Sequence, residues 1–376
     1  MLEHYNYDIH GIISVNSEVI LPELEPFHTL QNFEDPTIRV RVGQPKNRPD
    51  SAYKPGERHL FYKELFGMLG FEAEIVIGER VNILASRLLK YSPHVLYTNV
   101  VEPVLRWTFV ERGYALVHGA TIAFGDQAYM ITARTDTGKT TTLLKILDHQ
   151  RRFTDNASFI SDDMTLVSPD GLAMTYPKPM TISHHTVQAV NSAVLTRKER
   201  LVLLYQSRIH SRSGRKIAFF LGKTKLPMAS INAVVQFLVP PPKYDVQRLV
   251  PRVKLARTAR LAGLFIIERG KEEMDRPLEK EEAIEILLSN CEDAYGFPPY
   301  DDIKEFLYKP NGTDLRPIEQ GIIRSALGDL PANLIRSSHL EWWRRIPAFV
   351  DEVVAVDFVD HSQRALHTLD QDVVQA

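Results

Sequence analysis

The chain is poor in the features that staple or anchor a protein, and each lack excludes a class. Its one cysteine, Cys291, rules out a disulfide framework and a cysteine-based metal cluster, which fits a reducing compartment. No apolar run approaches the ~18 residues needed to cross a bilayer. The opening "MLEHYNYDIHG" has neither the basic nor the apolar stretch of a secretory signal. A cytoplasmic protein is therefore expected. A dominant charge is missing too: 45 Lys and Arg face 47 Asp and Glu, a formal net charge of −2, which argues against a general nucleic-acid binder. No internal repeat or long low-complexity tract is visible.

What is present is the make-up of an ordinary globular protein, 44% hydrophobic and 24% charged over 376 residues, enough for about two domains. "GIISV" and "TIRVRVG" read as strands, and "QPKNRPDSAYKPGERH" as a loop. From about residue 60 the pattern suggests a short helix, a strand "FEAEIVIG" and a second helix over "RVNILASRLLKYS". "TNVVEPVLRWTFVERG" has helical spacing and ends at Gly113, a C-cap. Then "YALVHGATIAFGDQAYMITA" reads as strands with a hairpin turn at "FGDQA", followed by the helix "GKTTTLLKILDHQ". "SFISDDMTLVSPDGLAMTYP" reads as strand, acidic break, strand, Pro-Asp-Gly turn and strand. From about 271 onward mostly helices are expected.

The stretch Ala133-Arg134-Thr135-Asp136-Thr137-Gly138-Lys139-Thr140 is one residue away from the phosphate-loop pattern G-x-x-x-x-G-K-[ST]. That pattern curls backbone N–H groups around phosphate oxygens, brings a lysine to the β and γ phosphates, and offers a hydroxyl to Mg²⁺. Gly138, Lys139 and Thr140 supply the last three parts, and the following helix points its N-terminus at the same anion. The nucleotide contacts are expected from Thr135, Asp136, Thr137, Gly138, Lys139, Thr140 and Thr141. Alanine replaces the first glycine, which is acceptable if φ at Ala133 stays below zero. Downstream, Asp162 and Asp163 end a strand, where phosphoryl transfer needs carboxylates for metal and proton.

Taken together, "HG", two strands, the loop and its helix, then "DD" resemble the C-terminal kinase domain of HPr kinase/phosphorylase, which shares its fold with phosphoenolpyruvate carboxykinase. The resemblance covers about residues 90 to 190. It implies an α/β fold with a PEP carboxykinase/HPr kinase-like nucleotide-binding core at 91–270. A small N-terminal α+β domain at 1–90 would precede this core and a helical region at 271–376 would follow it. It implies ATP and Mg²⁺ as cofactors, and a homo-oligomer. Residue by residue it places His118, before Gly119, near the reacting phosphate. Lys139 and Thr140 fall at the phosphates and the metal, Asp162 at the proton transfer, and Asp163 at Mg²⁺. The family's glutamate after the histidine motif is absent, and "VPRVKLARTAR" has the arginines of a later signature without its spacing. The acceptor is thus unassigned: a protein serine, a sugar, a polyol or a lipid-linked alcohol. Two further readings are carried beside the kinase: a nucleotide-binding sensor or scaffold without transfer activity, and an ATP hydrolase coupled to a partner.

Residues 197–260 hold fifteen Lys or Arg against Glu199 and Asp245. Such a basic insertion fits an acidic acceptor, the transferring phosphoryl group, peripheral contact with an anionic membrane, or simply a solvated face. Arg252, Arg257 and Arg260 are its candidate acceptor or phosphate contacts. Lys178, between two prolines, is expected to be exposed, His184 and His185 to be loop histidines, and "HLEWWRRIP" to be an amphipathic helix docking its tryptophans.

Overall fold

The computed structural model describes residues 4–66, 69–153, 156–182, 186–187, 195–196, 199–200, 202–203, 227–295, 299–348 and 350. His184 and His185, the apolar "AFFLG", much of the basic stretch and the last residues of the chain lie outside the described residues.

The chain is α/β. Its first seven strands are β1 (Tyr5–Ile9), β2 (Ile13–Ser17), β3 (His28–Thr29), β4 (Ile38–Gly43), β5 (Arg58–Phe66), β6 (Leu69–Ile77) and β7 (Val81–Ser86). They form one sheet in the order β3-β1-β2-β4-β7-β6-β5, parallel where β4 meets β2 and β7 and antiparallel elsewhere. The period of two is plain in β4, where Ile38 and Val40 are buried while Arg39 and Arg41 reach outward. Two expectations fail here. The segment expected as a short helix is β5, and the first half of "RVNILASRLLKYS" is β7, with only the short helix α1 (Arg87–Lys90) after it. Both segments carry apolar residues at spacings that suit either period, and pairing with β6 decides for the strand.

After α2 (Pro93–Leu96), a π turn at Tyr97–Val101 leads into α3 (Glu102–Glu111). Gly113 follows with φ +82°, the left-handed stop that was expected. The second sheet then begins with β8 (Ala115–His118), β9 (Ala120–Phe124) and β10 (Gln127–Thr132), and the helix α4 (Lys139–Phe153) comes after the loop. The remaining strands are β11 (Ala157–Ser161), β12 (Met164–Val167), β13 (Leu172–Met174), β14 (Met180–Thr181), β15 (Lys243–Tyr244), β16 (Lys254–Leu255), β17 (Thr258–Arg269), β18 (Met274–Pro277) and β19 (Ala332–Ser337). All of these but β14 and β15 join β8, β9 and β10 in one ten-stranded sheet whose centre is β10, antiparallel to β9 and parallel to β17. The helices Lys280–Tyr295, Tyr300–Tyr308 and Arg316–Leu327 populate the C-terminal region as expected. That region also returns two strands to the sheet: β19 runs parallel to β17, and β18 pairs with β19.

The sheet separates two apolar cores. Ala128 and Met130 of β10, with Leu264 and Ile266 of β17, face the core shared with α3, the C-terminal helices and the N-terminal sheet. Tyr129, Ile131, Phe265 and Ile267 face the other, with Leu143, Leu144 and Leu147 of α4 and Trp342. Covered on both faces, β8, β9 and β10 are nearly continuous apolar runs. Among the described residues no helix is long and apolar enough to cross a membrane.

Candidate active site

The loop between β10 and α4 is a tight reversal of the chain. Asp136 has φ +65° and Gly138 φ +129°, so the chain reverses through left-handed positions that glycine and aspartate tolerate best. Ala133 is not among the residues with positive φ, which removes the objection to alanine there. Gly138 is also sterically fixed, because a Cβ on it would lie 3.3 Å from the Trp342 ring. The docking of that tryptophan, buried as expected, therefore shapes the loop.

Lys139 is buried and turns back under the loop. Its Nζ donates to the Ala133 carbonyl at 3.1 Å and to His118 Nε2 at 2.8 Å. The other ring nitrogen of His118, Nδ1, faces the Asn290 carbonyl at 2.8 Å. A carbonyl can only accept, so the proton sits on Nδ1 and leaves Nε2 as the acceptor for the lysine. His118 reaches this place because the next residue has no side chain. A Cβ on Gly119 would approach Met130 Cγ to 2.8 Å. Burial lowers the Lys139 pKa, against the pull of Asp163, Asp162 and Asp293.

The paired aspartates sit where a long ribbon breaks. β8 and β9 pair with β12 and β11, with His118 opposite Met164 and Thr121 opposite Ser161. Between β11 and β12 stand Asp162 and Asp163, and they turn to different partners. Asp162 Oδ2 accepts from Thr140 Oγ1 at 2.8 Å, while its Oδ1 is buried with no hydrogen-bond partner. Asp163 lies with Oδ1 3.4 Å from His118 Nε2 and Oδ2 2.7 Å from Lys178 Nζ. Burial, then the neighbouring Asp163 charge, push the Asp162 carboxyl up to about 7. Burial would also raise the Asp163 pKa, yet the ammonium groups of Lys178 and Lys139 oppose that, and the carboxyl is held well below the usual carboxylate range. About half of the Asp163 side chain remains exposed.

Lys178 corrects an expectation, since it is buried rather than exposed. Its ammonium is shared between Asp163 and Glu102, at 2.7 and 2.5 Å. The two carboxylates keep it protonated despite burial. Glu102, the first residue of α3, follows the π turn, a feature frequent at functional sites. Neither residue stands out in the sequence, because an acid preceding a proline and a lysine between prolines carry no local pattern.

Two further groups touch the loop. The Thr135 N–H donates to Asp293 Oδ2 at 2.9 Å, and Arg269 Nε donates to the Thr137 carbonyl at 2.8 Å. Thr141 turns aside to Thr186, 3.3 Å away. Of the candidate arginines, Arg260 is placed elsewhere. Arg252, Arg257 and Arg260 are exposed, and Arg260 holds the Asp170 carbonyl at 3.1 Å. It stands opposite Gln127, at the start of β10, whereas the loop leaves from the far end beyond Thr132. The structure brings together His118, Lys139, Thr140, Asp162 and Asp163, and leaves Arg260 at the opposite end of the sheet.

No group of three or more His, Cys, Asp or Glu side chains gathers as a metal cage among the described residues. The oxygens that do gather fit a hard cation of another habit. Mg²⁺ takes one or two carboxylates and completes its shell with water and substrate phosphates. The Thr140 hydroxyl, the orphaned Oδ1 of Asp162 and the open side of Asp163 are donors of that kind. No known family profile matches the chain, and no curated protein is significantly similar to it.

Proposed function

We propose that this protein is an ATP- and Mg²⁺-dependent phosphotransferase that moves the γ-phosphoryl group of ATP to a hydroxyl acceptor. One observation carries the reading: Lys139 and Thr140, at the mouth of a left-handed loop, meet His118, Asp162 and Asp163 within direct hydrogen-bond or ion-pair distances. The order of His-Gly, strands, loop, helix and paired aspartates supports a core of the PEP carboxykinase/HPr kinase kind.

In this reading the loop amides and the N-terminus of α4 hold the phosphates, with Lys139 against the β and γ groups. His118, fixed by Asn290, keeps that lysine aimed and faces the reacting phosphate. Thr140 and Asp163 hold the metal edge of the site. Mg²⁺ bound there supplies neutralisation of the charge on the phosphoryl oxygens. Asp162 takes the proton of the acceptor hydroxyl. That oxygen forms a bond to the γ-phosphorus, while the bond from phosphorus to the β–γ bridging oxygen breaks and leaves its electron pair on ADP.

Calorimetry with and without Mg²⁺ tests the reading. ATP should bind the native chain in a Mg²⁺-dependent way. Lys139→Ala should weaken binding more than about tenfold, the loss of a charged hydrogen bond. Asp162→Asn should bind ATP normally and fail to turn it over. A native chain that binds no ATP, or an Asp162→Asn variant of undiminished turnover, sinks the proposal.

A further inference from the structure

We propose that Arg269 is a catalytic residue of this site, the arginine that contacts the γ-phosphoryl group during transfer; the inference rests on the phosphotransferase reading. β17 runs parallel to β10 with Ile266 beside Thr132, so both strands deliver their next residues to the same end of the sheet. Beyond Thr132 comes the phosphate loop, and three residues beyond Ile266 comes Arg269. Its Nε is anchored on the Thr137 carbonyl at 2.8 Å. Its Nη2 lies 4.0 Å from where a Cβ on Gly138 would stand. The guanidinium is therefore held against the loop by one nitrogen, with the outer nitrogens still free to donate.

Its neighbours sharpen the assignment. Arg276, Arg336 and Arg345, carried by β18, β19 and the segment that follows, are each closed by carboxylates, namely Glu282, Glu268, and Glu273 with Asp275. Arg269 forms no ion pair among the described residues and its side chain is exposed. A planar guanidinium offers two parallel N–H groups to phosphate oxygens. Anchored by Nε, this one is pre-oriented for a group seated on the loop. The charge that develops on the transferring phosphoryl group is what such a cation stabilises, and phosphotransferases that lack it turn over far more slowly.

The experiment uses the full chain with Arg269→Ala and Arg269→Lys, melting curves confirming that each folds. Three quantities are read: Mg²⁺·ATP affinity, release of labelled phosphate to water, and trapping of ADP with aluminium fluoride, a stand-in for the transferring group. Arg269→Ala should keep ATP affinity within about threefold, lose roughly a hundred- to a thousandfold in turnover, and fail to trap the ADP complex. Arg269→Lys should recover only a small part, because lysine cannot both hold the carbonyl and present two further donors. Wild-type turnover and trapping in Arg269→Ala would overturn the inference. So would a loss of ATP affinity with unchanged saturated turnover, which would make Arg269 only a brace for the loop. A wild-type chain that binds no Mg²⁺·ATP removes the phosphotransferase reading itself, and that titration alone distinguishes the two failures.

Discussion

Two buried charge networks lie on either side of the helix Lys280–Tyr295, and they differ in how far they are closed. Around Arg106 four of the five guanidinium N–H groups are used. The guanidinium bonds both oxygens of Glu319 at 2.8 and 2.9 Å, Glu292 at 2.7 Å and the Tyr300 hydroxyl at 3.2 Å. Its faces are covered by the Trp107 and Tyr295 rings. Around Lys139 the pattern is open: Asp162 keeps an unpartnered oxygen, Asp163 is half exposed, and Arg269 has nitrogens to spare. A saturated network ties elements together, whereas an unsaturated one is completed by something that binds. Residues 290–293 serve both. Glu292 faces Arg106, while Asn290, Cys291 and Asp293 support His118 and the loop.

The sharpest way to break this contrast is Arg106→Met. It strands Glu319 in the interior without its cation, and a stability loss of ~3–5 kcal/mol is expected in denaturant titration. Adding Glu319→Leu should restore much of it, since removing both partners of a buried pair costs far less than removing one. Equal stability of the single variant and the native chain would refute the closed network.

A third cluster tests whether closure alone gives stability. Glu23 is buried between His94 and Lys243. Burial alone would raise its pKa, but the His94 and Lys243 contacts hold it down at about 2, against 4.5 for a free side chain. Its contribution, on the order of 3 kcal/mol, should be complete above pH about 4.5 and fade as pH falls toward 2. Burial lowers the His94 pKa, which favours loss in the same direction. Glu23→Gln should flatten the acid limb of the stability–pH curve, and an unchanged limb would assign it to other groups.

The smallest effect is expected where the two networks meet. Asp293 places a carboxylate on an amide of the loop after β10, a like charge to the phosphate proposed to bind there. Asp293→Ala should tighten ATP binding about two- to fivefold, the scale of one charge at a helix terminus. Weaker binding would show instead that Asp293 organises the loop.

The part of the site written in consecutive residues was legible in the sequence. The glycine–lysine–threonine run, the two aspartates at a strand end and the histidine before Gly119 each depend on neighbours in the chain, and local pattern reports those. Lys178 and Glu102 were not legible, because their burial comes from pairing across 76 residues. Arginine content drew attention to Arg260 while the register of β17 delivers Arg269, and no local rule says which end of a strand will meet the loop. The same holds for β5, whose apolar spacing suits a helix until β6 lies beside it.

The parallel pairing of β10 with β17 has a consequence for synthesis of the chain. β10 and the loop are made early, but the strand that covers the other edge of β10 begins only at Thr258. Until then a long apolar strand has an open side, the kind of edge that recruits another chain. The nascent protein thus carries the loop after β10 well before the arginine beside it, so the candidate site is assembled late and from distant parts of the polymer.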